Sequence, residues 1–219
     1  MIDGLRHLLD TRFGGVLKQG AHEEDGECCV VELLAAAKGL PWTNNPYEVG
    51  CWDLRSINDI PVSDEIRTQY LLPVAEIYHD SRSWPVERQI RVVQRLAIMT
   101  VQRLISAIPG LPALIRQACQ DARDLQEARG AAKWAKRSAT SLSESSGRRV
   151  RRRMRQSRRD AAEQAEDASW AARDALWSAV WSSSAADVAL AVVAARSEPE
   201  LNAVFIATCQ LWIEAAQED

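Results

Sequence analysis

Three groups of residues in this sequence could do chemistry. The first is an arginine run: Arg148, Arg149, Arg151, Arg152, Arg153, Arg155, Arg158 and Arg159 place eight guanidinium groups in twelve positions. Guanidinium pairs well with phosphate, so the run could grip a nucleic acid or another polyanion. It could equally pair with an acidic protein surface. No aromatic residue interleaves it, as RNA-stacking segments require. The second group is Trp170, Trp177 and Trp181, spaced seven and four apart, which puts them on one stripe of a helix. They read either as core or as aromatic anchors for a protein partner.

The third group is Cys28, Cys29 and Glu32. A thiol nucleophile needs a base and an electropositive setting. Here the neighbours are Glu23, Glu24, Asp25, Glu27 and Glu32, which raise a thiol pKa. The only histidine nearby in sequence is His22. The expectation is therefore that the protein is not an enzyme. Five cysteines without a C-x-x-C pair, and three histidines without an i, i+3 or i+4 partner, predict no metal site and no cofactor. Glycine-rich phosphate loops, G-x-S-x-G and H-E-x-x-H do not occur in the sequence.

These groups must be positioned by something, and the periodicity points to helices throughout. Val86, Ile90, Val93, Ala97, Thr100, Leu104 and Ala107 follow a 4,3 spacing that ends before Pro109-Gly110. A second helix should open at Pro112 and run along Ala118, Ala122, Leu125, Ala128, Ala132, Ala135, Ala139 and Leu142. From Val150 to Val193 the same spacing continues through small residues, which predicts a helix of about 65 Å if unbroken. That heptad also suits a coiled coil and so a homodimer. Ser197 with Glu200 forms a capping box for a last helix.

Upstream, shorter helices are expected. One runs from Asp3 to Gly14-Gly15, one from Cys28 to Gly39, one near 51–58, and one over 63–80 capped by Ser63 and kinked or broken at Pro73. The fold class read from this pattern is all-α. A small acidic N-terminal helical subdomain covers 1–83, and a bundle or hairpin of long Ala-rich helices covers 84–219.

Charge follows the same division. The net value is −3. Residues 1–83 carry 7 basic and 14 acidic side chains, residues 84–159 carry 18 and 5, and residues 160–219 carry 2 and 11. Such blocks call for complementary surfaces, in a partner or within the chain. An apolar content of 47% excludes wholesale disorder. No apolar run approaches the length of a membrane helix, and the first residues lack an apolar signal core, so a cytoplasmic location without membrane contact is expected.

Around Glu32 the chain resembles an uncharacterised family of phage and actinobacterial proteins. That family shares Cys-Val-Met-Glu, an apolar stretch, Gly, Ser-Asp-His-Pro and then Asn-Asp, and it often ends in Ala-rich helix studded with Trp. The matching residues are Cys29-Val30-Val31-Glu32, Gly39, Thr43-Asn44-Asn45-Pro46 and Asn58-Asp59. Val31 replaces the usual Met, and Asn44-Asn45 replace the Asp-His pair. The resemblance implies a phage or mobile-element protein acting inside a bacterial host, with a helix–turn unit whose residues are structural. The expected function is a non-enzymatic interaction protein that binds a host macromolecule, for instance to inhibit a defence system such as a CRISPR effector. Nucleic-acid binding through 148–159 and self-assembly are the alternatives.

Overall fold

The computed structural model describes residues 2–24, 26–108, 110–144 and 197–217. Among them every regular element is helical and none is a strand. The elements are α1 (Ile2–Arg12), α2 (Val30–Ala37), α3 (Pro46–Val49), α4 (Arg55–Asn58), α5 (Asp64–Tyr78), a 3₁₀ turn (Ser81–Ser83), α6 (Val86–Met99), a π-helical segment (Thr100–Ile105), α7 (Ala113–Gln120), α8 (Leu125–Glu144) and α9 (Glu198–Gln217). The long heptad expected from Val150 to Val193 lies outside the described residues.

The chain forms two compact units, Met1–Val92 with Ala195–Asp219, and Val93–Ala194. The sequence reading placed the last helix with the bundle of 84–219. Instead α9 packs on α5 of the first unit. The reason is aromatic. Tyr78 lies with its ring centroid 5.1 Å from Trp52, 5.0 Å from Trp212 and 5.2 Å from Trp84. Trp52 also sits edge-on to Trp84 and Trp212. The Tyr78 hydroxyl donates to the Trp212 carbonyl at 2.8 Å. Three tryptophans thus close the core around one tyrosine, an arrangement that fills volume and satisfies the buried hydroxyl together.

Helix ends in the first unit follow their local signals. Ser63 Oγ accepts from Ile66 N, and Asn45 Oδ1 accepts from Tyr47 N with Pro46 in the first turn. Ser197 Oγ accepts from Glu200 N. Gly39, just past α2, has φ +65°, a conformation open to glycine at little cost. Two expectations change. α1 opens at Ile2, one residue before the expected cap Asp3. α5 continues through Pro73, which is exposed, as is Gln69 one turn earlier. The carbonyl that loses its donor there can therefore be hydrated.

The second unit has a core of small residues. Val101, Ile105, Ile108, Leu111, Cys119, Ala122, Ala128, Ala131, Ala132 and Ala135 are buried together. The helix expected to run unbroken from Pro112 to Leu142 is divided. Asp121 ends α7, and Asp124 Oδ1 accepts from Gln126 N and Glu127 N to start α8. A side chain that bonds nearby backbone competes with helix propagation, and the break lets α7 and α8 pack on each other. The π segment makes the other change. A π turn absorbs one extra residue, so the buried stripe shifts by one: Ile108 is buried and Ala107 is exposed. Gln102 Nε2 donates to the Ala122 carbonyl at 2.6 Å, and Arg116 Nη1 donates to the Ser106 carbonyl at 2.9 Å. These two bonds fix the widened turn against its neighbours.

Candidate functional site

The helix expected to include both vicinal cysteines begins after them. Cys29 is the N-cap of α2 and Cys28 precedes it. Neither carries an oxygen to cap with, so the first amides find other acceptors. Cys29 N donates to Glu32 Oε2 at 2.7 Å, and Val30 N donates to Asn58 Oδ1 at 3.3 Å. Glu32 is only 1% exposed. Its Oε1 accepts from His22 N at 2.8 Å, and His22 Nδ1 lies 3.1 Å from its Oε2. Trp42 Nε1 donates to the His22 carbonyl at 2.8 Å, and the Trp42 ring packs 5.6 Å from Phe13. One buried carboxylate therefore starts α2 and anchors the acidic loop 20–27.

The thiols in this region are poor nucleophiles. Burial, then the Glu32 charge, pushes Cys29 up to about 12. Burial, with Cys29 and Glu32 adding to it, pushes Cys28 higher still. Burial takes Cys51 to about 11 despite Lys38 and Arg82 nearby. All five cysteines are buried and none forms a disulfide. Thiolate, the reactive form, is scarce at neutral pH under these conditions.

The second part of the site is a stitch between 17–20 and 58–64. Arg67 is 1% exposed, and its guanidinium donates to the carbonyls of Asn58 (2.8 Å), Val62 (3.1 Å), Ile60 (3.3 Å) and Leu17 (3.4 Å). It also pairs with Asp64. Asn58 Nδ2 donates to the Lys18 carbonyl at 2.9 Å, Gln19 Nε2 to the Asp59 carbonyl at 2.8 Å, and Gly20 N to Asp59 Oδ1 at 3.0 Å. Lys18 Nζ meets Asp64 at 2.8 Å and Glu27 at 3.8 Å. Its bond to Asp64, with Glu27 and Glu65 adding to the field, holds Lys18 above the usual amine range. Burial opposes ionisation of Asp64, but Lys18 and Arg67 together hold it below the usual carboxylate range. Arg12 Nη2 holds Glu24 at 3.3 Å. The outcome is a surface where Glu27, Asp59, Asp64 and Glu65 gather around half-buried Lys18, with Arg67 also paired to Asp64.

The third part is the turn after α2. Lys38 Nζ donates to the carbonyls of Val49 and His79, both at 2.8 Å, and to Asp80 at 2.6 Å. Thr43 Oγ1 accepts from Asn45 N at 3.1 Å. Tyr47 is exposed, with the Arg82 guanidinium 3.7 Å from its ring centroid. Glu32, Gly39, Thr43, Asn45, Pro46, Asn58 and Asp59 thus each cap, turn or tie backbone.

Arg148, Arg149, Arg151, Arg152, Arg153, Arg155, Arg158 and Arg159 lie outside the described residues, as do Trp170, Trp177 and Trp181. Among the described residues, no group of three or more His, Cys, Asp or Glu side chains is placed to hold a metal ion. No described helix is long and apolar enough to cross a membrane. Sequence reasoning missed the His22–Glu32 contact, because the pair lie ten positions apart across the polar loop 23–27. It also missed the exposure of Trp134 and Leu114 in the second unit. The chain matches no protein-family model, and neither curated proteins nor solved structures give a match.

Proposed function

We propose that this is a non-enzymatic helical interaction protein whose acidic N-terminal face engages a basic surface on a macromolecular partner. The observation that carries this reading is the gathering of Glu27, Asp59, Asp64 and Glu65 around Lys18 by the stitch of 17–20 to 58–64. Complementary charge steers encounter and selects partners. The groups that could do covalent chemistry are engaged elsewhere: Glu32 ties backbone, and the thiols are buried and raised in pKa. On the resemblance described above, the partner is a protein of a bacterial host, and blocking a defence effector is the specific form of the activity. The chain then acts in the bacterial cytoplasm.

The second reading rests on the eight arginines of 148–159, which suit nucleic-acid phosphate. The two separate in one preparation. The protein is purified from a bacterial lysate at low salt, without nuclease, and its ultraviolet absorbance ratio is recorded. A protein-like ratio agrees with a protein partner. A nucleic-acid-like ratio that collapses after a salt wash transfers the function to the arginine run.

A further inference from the structure

We propose that Arg82 and Tyr47 form a carboxylate-binding site that takes an Asp or Glu side chain of a protein partner. Tyr47 lies in the single turn of α3, which Asn45 caps and Gly50 ends in the left-handed conformation, φ +78°. So short a turn buries one side only: Pro46 and Val49 are buried, and Tyr47 is 59% exposed. Arg82 comes from the 3₁₀ turn. Trp52 N donates to Ser81 Oγ at 2.8 Å, and Arg82 N donates to the Gly50 carbonyl at 3.3 Å, so that turn is stitched to the chain just after α3. The guanidinium is then held twice. Its Nε donates to the Cys51 carbonyl at 2.8 Å, and its central carbon stands 3.7 Å from the Tyr47 ring centroid. An aromatic face on one side and a bonded Nε together orient a planar fork.

What remains is the pair of terminal nitrogens. Among the described residues, neither makes a hydrogen bond or an ion pair. The acids that neighbour this site in sequence are engaged elsewhere: Asp80 with Lys38 at 2.6 Å and with His79 Nε2 at 3.0 Å, Asp53 with Arg55 at 2.7 Å, and Glu48 with Asn45 Nδ2 at 3.0 Å. A guanidinium already held in place loses little further freedom on binding. Its two terminal N–H donors match the two oxygens of a carboxylate. Phosphate fits the same fork, but the surroundings disfavour it. Residues 1–83 carry 14 acidic side chains against 7 basic ones. Lys38, the other cation beside Cys51, gives its donors to Val49, His79 and Asp80. A doubly charged anion meets more repulsion here than a single carboxylate does. The exposed Tyr47 ring adds apolar surface beside the fork, so an acidic residue with an apolar neighbour suits both. This site takes the charge opposite to that taken by the acidic face and stands without it.

The test titrates the full chain, isotope-labelled on arginine and tyrosine side chains, with the blocked dipeptide acetyl-Leu-Glu-amide at fixed ionic strength. The nuclear magnetic resonance signals of Arg82 and Tyr47 should move together and saturate with a Kd of about 1–10 mM, the range open to one forked pair and one ring contact. Acetyl-Leu-Gln-amide, of the same shape without the charge, should bind at least about tenfold more weakly. Arg82→Lys keeps the charge and loses the fork, so binding read at Tyr47 should weaken about tenfold. Tyr47→Ala, at an exposed position, should weaken binding read at Arg82 about threefold or more. Inorganic phosphate should bind more weakly than the glutamate peptide. The comparison of the two peptides needs no variant, so it decides the matter even where Arg82→Lys fails to fold. No saturable shift below about 50 mM peptide overturns the proposal and leaves the stack as packing alone. Equal response to the two peptides, a folded Arg82→Lys that binds as the wild type does, or tighter binding of phosphate overturns it as well.

Discussion

Glu32 holds His22 twice: its Oε1 accepts from the His22 amide, and its Oε2 lies 3.1 Å from the His22 ring nitrogen. The same carboxylate accepts from Cys29 N at the start of α2. A side chain that sequence reading weighed as an acid beside a thiol is a clamp between a helix and a loop. Glu32→Ala should therefore leave the buried Cys29 amide and the half-buried His22 amide without their acceptor. We expect a loss of about 2–4 kcal/mol, since each unmet buried group costs about 1–3 kcal/mol and relaxation recovers part. Urea denaturation measures it. A change near zero would mean that loop 20–27 does not depend on Glu32.

Thiol chemistry gives the second prediction. Cys28, Cys29 and Cys51 should react slowly with a disulfide reagent at pH 7 in the folded protein and quickly in denaturant. Rapid labelling of one thiol in the folded state would reopen a nucleophilic role for it.

Acid should weaken the first unit in a defined window. Lys38 bonding, with His79 beside it, holds Asp80 below its ordinary value of 3.8, and Lys18 with Arg67 does the same to Asp64. A carboxyl lowered in the folded state stabilises it above the unfolded pKa. That contribution fades as pH falls from about 4 through the folded value. The urea midpoint should drop across this window, and Lys38→Met should flatten the part owed to Asp80. A midpoint independent of pH there, or one that rises, would contradict the pairing.

The α9 contact is tested at its centre. Tyr78→Phe removes the hydroxyl bond to the Trp212 carbonyl and should cost about 1 kcal/mol. Trp212→Ala should cost about 3–5 kcal/mol, as large aromatic truncations in cores do. It should also open α9 to limited proteolysis. Equal protease resistance in the variant and the wild type would mean that α9 is held elsewhere.

What could be read in the sequence was what is local. Ser63, Ser197, Asn45-Pro46 and Gly39 signal helix ends through bonds or φ values within a few residues, and those ends stand where such signals lie. The departures came from distant partners or from local competition. Nothing near Trp212 announces Tyr78, 134 residues away. Cys29 stands at the N-cap of α2 with Glu32 accepting from its amide, and Asn58 accepts from Val30 N, 28 residues before it. The one-residue shift between Ala107 and Ile108 comes from a π turn, which leaves no mark in a 4,3 spacing. Asp121 and Asp124 sit within the Ala seam, and their capping outweighed its periodicity. The acidic site was legible as a charge block but not as a surface, since its assembly depends on Arg67 and Asn58 reaching backbone carbonyls.

The central claim is that the acidic face of the first unit binds a basic partner surface. Its most direct test compares capture of bacterial lysate proteins by the wild type and by a folded Glu27→Lys, Glu65→Lys variant, with Arg152→Glu, Arg155→Glu alongside. A partner should be retained at low salt by the wild type and the arginine variant, released as salt rises, and lost to the glutamate variant. Retention by the glutamate variant, or loss only in the arginine variant, would contradict it.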